Sequence, residues 1–505
     1  MLSTMVKQEI GCVFTPEIWA EFAIEKYGLF DKWMQGASIL DPTMGNGNLL
    51  AAIICFGLKK GYQVGEMPVE NLFGVEMNKR HYCAACERLE KLCGSRFQNQ
   101  NFINGDILFT WKRKKIDIVF GNPPWVSFSS LPLEYGKKIK SVYVKSGLAS
   151  HGSGLLLGNS QINLAALVFF HVLKNMMKEN GEAVVFMPLS VLFHAGAHRE
   201  FTSGKAGNIS FSIDEVTDLE HTDAFQGICT RFGIIKISRN KTQSFPVPYF
   251  TYNLSNGKWT EKFMSPLLLD HGPMCIQNSH NKNFGFKKIP VDIKSKPRQG
   301  INTCGANHLY FFDSFKDLNG EICEVSNKTL SCHIEKQFVY PLIQKENFRN
   351  NDNLIHKWVI LPYNENGKIL TEKQIKNHPH MHSYFKSNKD VLGARKGTLI
   401  RHQIENGLFW ALLGVGPYCF YPYKIVWEAC GKKDFYPRIF EGMWQANQAL
   451  QVYMPFTDRI LCKEIINKMN EAGISEMLST MNLGGSMCFA QPGVMKTFFD
   501  FASLE

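Results

Sequence analysis

Apolar residues in the first half of the chain gather into short runs, each ending in a polar or acidic side chain. Ile116-Asp117-Ile118-Val119-Phe120-Gly121 is nearly continuous in hydrophobicity and reads as a buried strand with Asn122 at its end. Ser38-Ile39-Leu40-Asp41 reads as a short strand, followed by a glycine turn at Gly45 and Gly47 and a helix opening at Asn48-Leu49-Leu50. Asn71-Leu72-Phe73-Gly74-Val75-Glu76 is the next strand candidate, and another precedes Asn104-Gly105-Asp106-Ile107-Leu108. Near the N-terminus, Ile18, Trp19, Phe22 and Ala23 recur at helical spacing, with Thr15 placed to cap that helix and Pro16 in the favoured first position. Strands alternating with helices predict an α/β domain with an open, doubly wound sheet. In such a sheet the strand ends line one crevice, so Asp41, Glu76, Asp106 and Asn122 are expected along one edge.

The second half lacks this regularity. From Ser238 to Pro248 the chain turns polar and proline-bearing, which predicts a boundary near residue 240. Beyond it, short β-like runs and glycine turns mix with helical segments near Cys462 to Met477. The expectation is a first domain over residues 1–240 and an α+β domain over residues 241–505. No internal repeat of fixed period is visible.

Composition narrows the partners. A length of 505 residues suits two or three domains, and 45% hydrophobic residues can fill sizeable cores. Lys and Arg number 56 against 45 Asp and Glu, a net charge of +11 that fits a polyanion and equally an ordinary basic enzyme. Fourteen cysteines lack regular spacing, and Cys83-Ala84-Ala85-Cys86 has neither a second pair nor histidines, so no metal is expected. Reduced thiols in a cytoplasm are the better reading. Residues 1–9 lack the apolar core of a signal peptide. No uncharged apolar stretch reaches the ~18 residues of a membrane span, so no membrane partner is expected.

The chemistry centres on Asn122-Pro123-Pro124-Trp125. Each proline fixes its own φ, removes a backbone donor and restricts the residue before it. The loop therefore holds one amide side chain and one carbonyl in fixed directions, with an aromatic ring next to them. That suits a flat, amino-bearing ring such as a nucleobase. Taken alone, Asn-Pro-Pro also fits an ordinary turn. The ordered strand ends upstream favour the first reading. Gly45 and Gly47 let the backbone approach a ligand, but the third glycine of a phosphate-binding loop is missing and Asp41 would repel a phosphate. A cation would be welcome there instead. Glu76 ends its strand where a doubly wound fold sets a carboxylate on a ribose, although its spacing from Gly47 exceeds the usual ~20 residues. Asp106 is placed to accept from an adenine amino group while Ile107 packs on the ring.

Two basic stretches differ in position. Lys112-Arg113-Lys114-Lys115 precedes the Ile116 strand, the wrong end of the sheet for a site, and reads as a solvated turn. The segment from Ser127 to Gly158 follows Trp125 at the correct end and carries Lys137, Lys138, Lys140 and Lys145 before a Gly/Ser-rich stretch. It is expected to be a mobile loop that clamps nucleic-acid phosphates.

These residues resemble, over nearly the whole chain, the gamma-type N6-adenine DNA methyltransferases of restriction–modification systems, with their Asn-Pro-Pro-aromatic signature. The resemblance implies a Rossmann-like S-adenosylmethionine-dependent methyltransferase domain followed by a C-terminal α+β target recognition domain. By position, Thr15, Pro16, Asp41, Gly45, Gly47, Glu76, Asp106 and Ile107 would bind S-adenosylmethionine. Asn122, Pro123, Pro124 and Trp125 would hold the target adenine, and Lys137 and Lys138 would contact DNA. Asn163 to Phe170 is similar to the helix that follows in the family, and Gly181 to Pro188 to its next strand. Asp223-Ala224-Phe225-Gln226-Gly227 is similar to the element that supplies a second aromatic, Phe225, although a core phenylalanine fits the same position. Arg298 to Asn307 resembles a Gly-x-x-Thr-Gly-x-Asn element of recognition domains, with Cys304 inserted; Tyr340 to Ile343, Trp358 to Tyr363, Leu392 and Arg395 follow in matching order.

The signature departs from the family in Trp125, where Tyr or Phe is usual. Cytosine-N4 enzymes usually begin it with Ser, so Asn122 favours adenine. The resemblance implies double-stranded DNA as partner and methylation only, with any endonuclease or other defence-system subunit on a separate chain. The rival readings are a methyltransferase acting on cytosine N4, RNA or protein glutamine, and a non-catalytic DNA-binding specificity subunit.

Overall fold

A computed structural model describes residues 14–111, 115–146, 148, 163–193, 199–220, 222, 231–253, 256–267, 274–277, 286–429, 435–448, 450–481 and 490–502. The predicted strands form as β1 (Ile39–Asp41), β2 (Leu72–Glu76), β3 (Phe102–Asn104), β4 (Ile116–Gly121) and β5 (Met177–Pro188). They run parallel in the order β3-β2-β1-β4-β5. The chain leaves β1 toward β2 and β3 on one side and reaches β4 and β5 on the other. That reversal beside β1 opens a crevice at the carboxyl ends of the strands.

The sheet is buried on both faces, which is why its strands read as continuous apolar runs. Alternate residues point to opposite sides. Ile39, Ile118, Phe120, Val184 and Phe186 join one core, together with residues of α1 (Glu17–Lys26), α2 (Leu29–Met34), α3 (Asn48–Lys59) and α4 (Lys79–Cys93). Leu40, Val119, Ala183 and Val185 join the other, with residues of α5 (Ile107–Thr110), α6 (Leu133–Ser146) and α7 (Leu164–Asn175).

The sheet continues past residue 240. A short β6 (Lys205–Ala206) pairs with β7 (Ile209–Asp218); β8 (Phe232–Arg239) inserts antiparallel between β5 and β7. Then β9 (Val247–Asn253) lies parallel beside β7, followed by β10 (Lys258–Pro266) and β11 (Met274–Gln277), completing an 11-stranded sheet. The polar stretch expected as a boundary is thus a connection inside one sheet. Gln243 ties it down, accepting from the Ile213 amide at 2.7 Å and donating to the Ile213 carbonyl at 3.3 Å, beside the β7 register shift. The split between compact units falls after residue 285, not near 240.

The second unit comprises residues 286–482 and 486–505 and mixes small sheets with helices, the α+β composition expected of it. Arg438–Glu441, Tyr423–Glu428, Gln451–Phe456 and Arg298–Gln299 form one sheet; Val339–Leu342, Lys357–Ile360 and Phe311–Phe312 form another. Arg395 is 6% exposed and donates to the carbonyls of Leu392, Thr303, Ala411 and Phe409, so it fastens three separate segments. The inserted Cys304 is accommodated by left-handed backbone, φ 55°, followed by Gly305 at φ 93°. Thr303 Oγ1 still reaches Asn307 Oδ1 at 2.5 Å across that turn.

Candidate functional site

A cleft of about 510 Å³ opens at the carboxyl ends of β1 to β4, within the first unit. Its size is that of a small-molecule site. Eight residues expected at the site line it: Thr15, Asp41, Gly45, Glu76, Asp106, Ile107, Asn122 and Pro124.

Asp41 ends β1 and is 2% exposed. Its Oδ1 accepts from the Thr43 amide at 3.1 Å, and among the described residues no ion pair reaches it. Burial, with Glu76 nearby, pushes its carboxyl from the ordinary 3.8 to about 8, against the pull of the Thr43 amide. The following turn brings Gly45, at φ 54°, under the Phe14 ring; a Cβ there would sit 2.9 Å from Phe14 Cε1. Gly47, at φ 78°, precedes α3 and packs against Ala85 of α4 outside the cleft lining. Glu76, at the end of β2, accepts from the Gly45 amide at 2.9 Å and the Asn78 amide at 2.7 Å. Its carboxylate therefore holds the glycine turn in place while still facing the cleft.

Thr15 does not cap α1. The helix begins at Glu17 after Pro16, with no side-chain cap. Thr15 is instead drawn into the site: its hydroxyl accepts from Asn122 Nδ2 at 3.1 Å, and its carbonyl accepts from Asn48 Nδ2 at 2.9 Å. The Asn122 carbonyl accepts from Thr43 Oγ1 at 3.2 Å. These bonds orient the amide that the two prolines stiffen. Its nitrogen turns toward Thr15 and its oxygen turns away.

Trp125 does not line the cleft. Its ring is half-buried and stacked on Phe232 of β8, centroids 5.5 Å apart and planes 26° apart, and its Nε1 donates to the Phe186 carbonyl at 3.3 Å. Pro123 is buried, and Pro16 also stays out of the lining. Phe225 lies outside the described residues.

At the β3 end, Asp106 caps α5 by accepting from the Leu108 amide at 3.0 Å. Its Oδ2 accepts from the Tyr135 hydroxyl at 3.1 Å. Ile107 is 4% exposed. Tyr135 belongs to α6, where the sequence predicts a mobile loop. Ile139 and Tyr143, one turn apart, are fully buried, and this apolar stripe folds the segment as a helix against α7. Lys137 and Lys138 are exposed and outside the cleft lining; Lys137 pairs with Glu134 at 2.9 Å, and Lys138 lies 4.4 Å from the Phe109 ring centroid. Lys115 begins the approach to β4 at the opposite end of the sheet, donating to the Asn175 carbonyl at 2.8 Å.

Sequence reasoning missed Phe14, Leu131, Pro132 and Tyr135, which complete the cleft wall with Leu164 and Val168 of α7. Phe14 adjoined a named motif. The spacing of Tyr135, Ile139 and Tyr143 was the available signal for α6. Among the described residues no group of three His, Cys, Asp or Glu side chains is arranged to hold a metal, and no helix is long and apolar enough to cross a membrane.

Residues 1–203 match the family described as N-6 DNA Methylase. The type II methyltransferase M.BstVI of Geobacillus stearothermophilus is 22% identical over 445 residues, covering 76% of this chain and 72% of that protein. The type II methyltransferase M.VspI of Vibrio sp. (strain 343) is 27% identical over 176 residues, 34% of this chain and 36% of that one. Among solved structures, the Type IIL restriction-modification enzyme MmeI in complex with DNA shares the fold with a TM-score of 0.53 at 14% identity, over 89% of this chain and 61% of that enzyme. The chain resembles the N6-adenine DNA methyltransferases of restriction–modification systems, with its residues 1–203 matching the N-6 DNA Methylase family.

Proposed function

We propose that the chain transfers a methyl group from S-adenosylmethionine to N6 of an adenine flipped out of duplex DNA, as the modification component of a restriction–modification or phage-defence system in the cytoplasm. The observation that carries this reading is the convergence of Asp41, Glu76, Asp106 and Asn122 on one cleft. The cofactor's chemistry fits the donor set. A buried carboxyl without a cation partner among the described residues suits a positively charged amino-acid end, and Glu76 suits a ribose. Asp106 with Ile107 suits an amino-bearing purine. Thr15 and Gly45 would border the amino-acid end. When bound, S-adenosylmethionine supplies a methyl group on a sulfonium, open to one in-line displacement.

The remaining chemistry belongs to the Asn122 loop. Adenine N6 is a poor nucleophile because its lone pair is delocalised into the ring. Extrusion of the base costs about a few kcal/mol. Stacking on Trp125, itself backed by Phe232, would offset that by roughly 1–3 kcal/mol. The Asn122 side-chain oxygen and the Pro123 carbonyl would accept the two amino hydrogens, localise the lone pair and stabilise positive charge as the new bond forms. Positioning supplies much of the rest. The methylated nitrogen becomes acidic and loses its proton to water, so no strong base is needed.

The second unit would read the DNA sequence, the exposed lysines of α6 would meet phosphates, and an endonuclease would be a separate chain. The test is incubation with mixed-sequence duplex DNA and radiolabelled S-adenosylmethionine, followed by nucleoside analysis. Label in N6-methyladenine, absent with Asn122→Ala, is expected. Label in N4-methylcytosine would overturn the adenine assignment, and no label in DNA would overturn the activity.

A further inference from the structure

Tyr135 is a residue of the cleft that the proposed reaction leaves without a role. It sits on α6, ten residues beyond Trp125, and its hydroxyl is the second donor to Asp106. The first donor, the Leu108 amide, takes Oδ1; Tyr135 takes Oδ2. Between them they fix the rotation of the carboxylate. Leu131, Pro132 and Tyr135 line the same cleft as Asp106 and Ile107. Lys138, one turn farther along α6, rests on Phe109 of α5, so the two helices are fastened at a second point next to the first. Burial, then the neighbouring Asp106 carboxylate, raises the Tyr135 hydroxyl above its ordinary range, which keeps it protonated and donating.

We propose that Tyr135 is the positioning residue for purine recognition: by holding Asp106 Oδ2, it aims the carboxylate's remaining acceptor capacity at the 6-amino group of the cofactor's purine and so sets the preference for 6-amino over 6-oxo purines. The inference rests on the cofactor reading above. A carboxylate has about four acceptor sites, and two are taken by fixed donors. A 6-amino group supplies a further donor. A 6-oxo group presents an oxygen to the same carboxylate and is repelled. The discrimination depends on the carboxylate being unable to turn away, and the Tyr135 hydroxyl is the group that prevents it.

The experiment measures binding of S-adenosylhomocysteine and of its 6-oxo analogue, S-inosylhomocysteine, by calorimetry, without any methyl transfer. Wild type is expected to prefer the 6-amino ligand by about 100-fold, the range set by a hydrogen bond to a charged group. Tyr135→Phe keeps the ring and removes only the hydroxyl. It should lower that preference roughly tenfold, chiefly through weaker binding of the 6-amino ligand. Asp106→Asn should abolish the preference, and adding Tyr135→Phe to it should change nothing more. If Tyr135→Phe weakens both ligands by the same factor, the residue is only a wall and the proposal fails while the cofactor reading stands. An unchanged ratio has the same meaning. If wild type binds neither ligand, the cofactor reading fails and takes the proposal with it.

Discussion

Asp41→Asn tests the electrostatics of the cleft without any substrate. The Asp41 carboxyl is pushed from 3.8 to about 8, first by burial and then by Glu76. The folded state therefore holds a proton that the unfolded chain gives up near pH 4. Stability falls wherever the folded state binds more protons than the unfolded one. The wild-type protein should lose stability as the pH rises from about 4 and reach the full loss near pH 8. At about 1.4 kcal/mol for each pH unit separating the two values, that loss is on the order of 5 kcal/mol. Asparagine cannot ionise. Any cost of its amide against Thr43 is the same at every pH. Urea melts at pH 5, 6.5 and 8 should thus show the variant gaining on wild type by several kcal/mol across the window. A cationic ligand reverses the balance by favouring the ionised carboxyl, so wild type should release a proton on binding it and the variant should not. Calorimetry in buffers of different ionisation enthalpy reads this directly. A wild-type-to-variant difference that stays flat with pH would refute the reasoning.

Asn122→Ala should abolish methyl transfer while S-adenosylhomocysteine still binds, since Thr15 keeps its bond to Asn48; loss of cofactor affinity in calorimetry would reassign the residue. Arg231→Met leaves Asp218, 1% exposed, without the cation that holds it at 2.5 Å, and also removes the ion pair to Glu220. Breaking such a buried pair should cost about 3–5 kcal/mol in a denaturant melt, and a change below about 1 kcal/mol would mean the network is dispensable. Replacing Lys137, Lys138, Lys140 and Lys145 with alanine should weaken DNA binding and flatten its salt dependence, by about 0.9 in the log–log slope for each DNA phosphate that is no longer neutralised. Unchanged DNA affinity across a salt titration would remove α6 from the interface.

What the sequence made legible was the part of the site built from strand ends. A strand fixes the position of its last residue by its own register, and in an open sheet all parallel strands end on one side. Asp41, Glu76, Asp106 and Asn122 could therefore be placed together from local patterns. The residues that moved from their expected roles depend on contacts far away in sequence. Thr15 fits a helix cap by local rules. It is drawn away by Asn122, whose place is set by β4. Trp125 is turned onto Phe232, which arrives on a strand inserted antiparallel beside β5, and no local pattern around Trp125 announces that strand. The boundary near residue 240 failed for the same reason. Polar, proline-bearing sequence marks a connection, but only strand pairing decides whether the next strand rejoins the sheet, and β9 does so beside β7.

The case of α6 differs, because its signal was local and was overruled by charge. Lys137, Lys138, Lys140 and Lys145 suggested a solvated loop. Yet lysines occupy the outer face of an amphipathic helix just as readily, and Tyr135, Ile139 and Tyr143 mark its inner face. The distinction matters for function. A loop would bring its lysines to DNA independently of the cleft. A helix whose inner face carries Tyr135 against Asp106 and whose outer face carries the lysines ties the two together: whatever orders the purine end of the cleft also orders the basic surface beside it. In the proposed enzyme, cofactor and DNA should then favour each other's binding, since each would reduce the ordering cost left to the other. Linkage makes the effect reciprocal, so S-adenosylhomocysteine should tighten DNA binding by the same factor that DNA tightens S-adenosylhomocysteine. Tyr135→Phe should reduce both factors together, and a coupling that survives it would mean the path between the two ligands runs elsewhere.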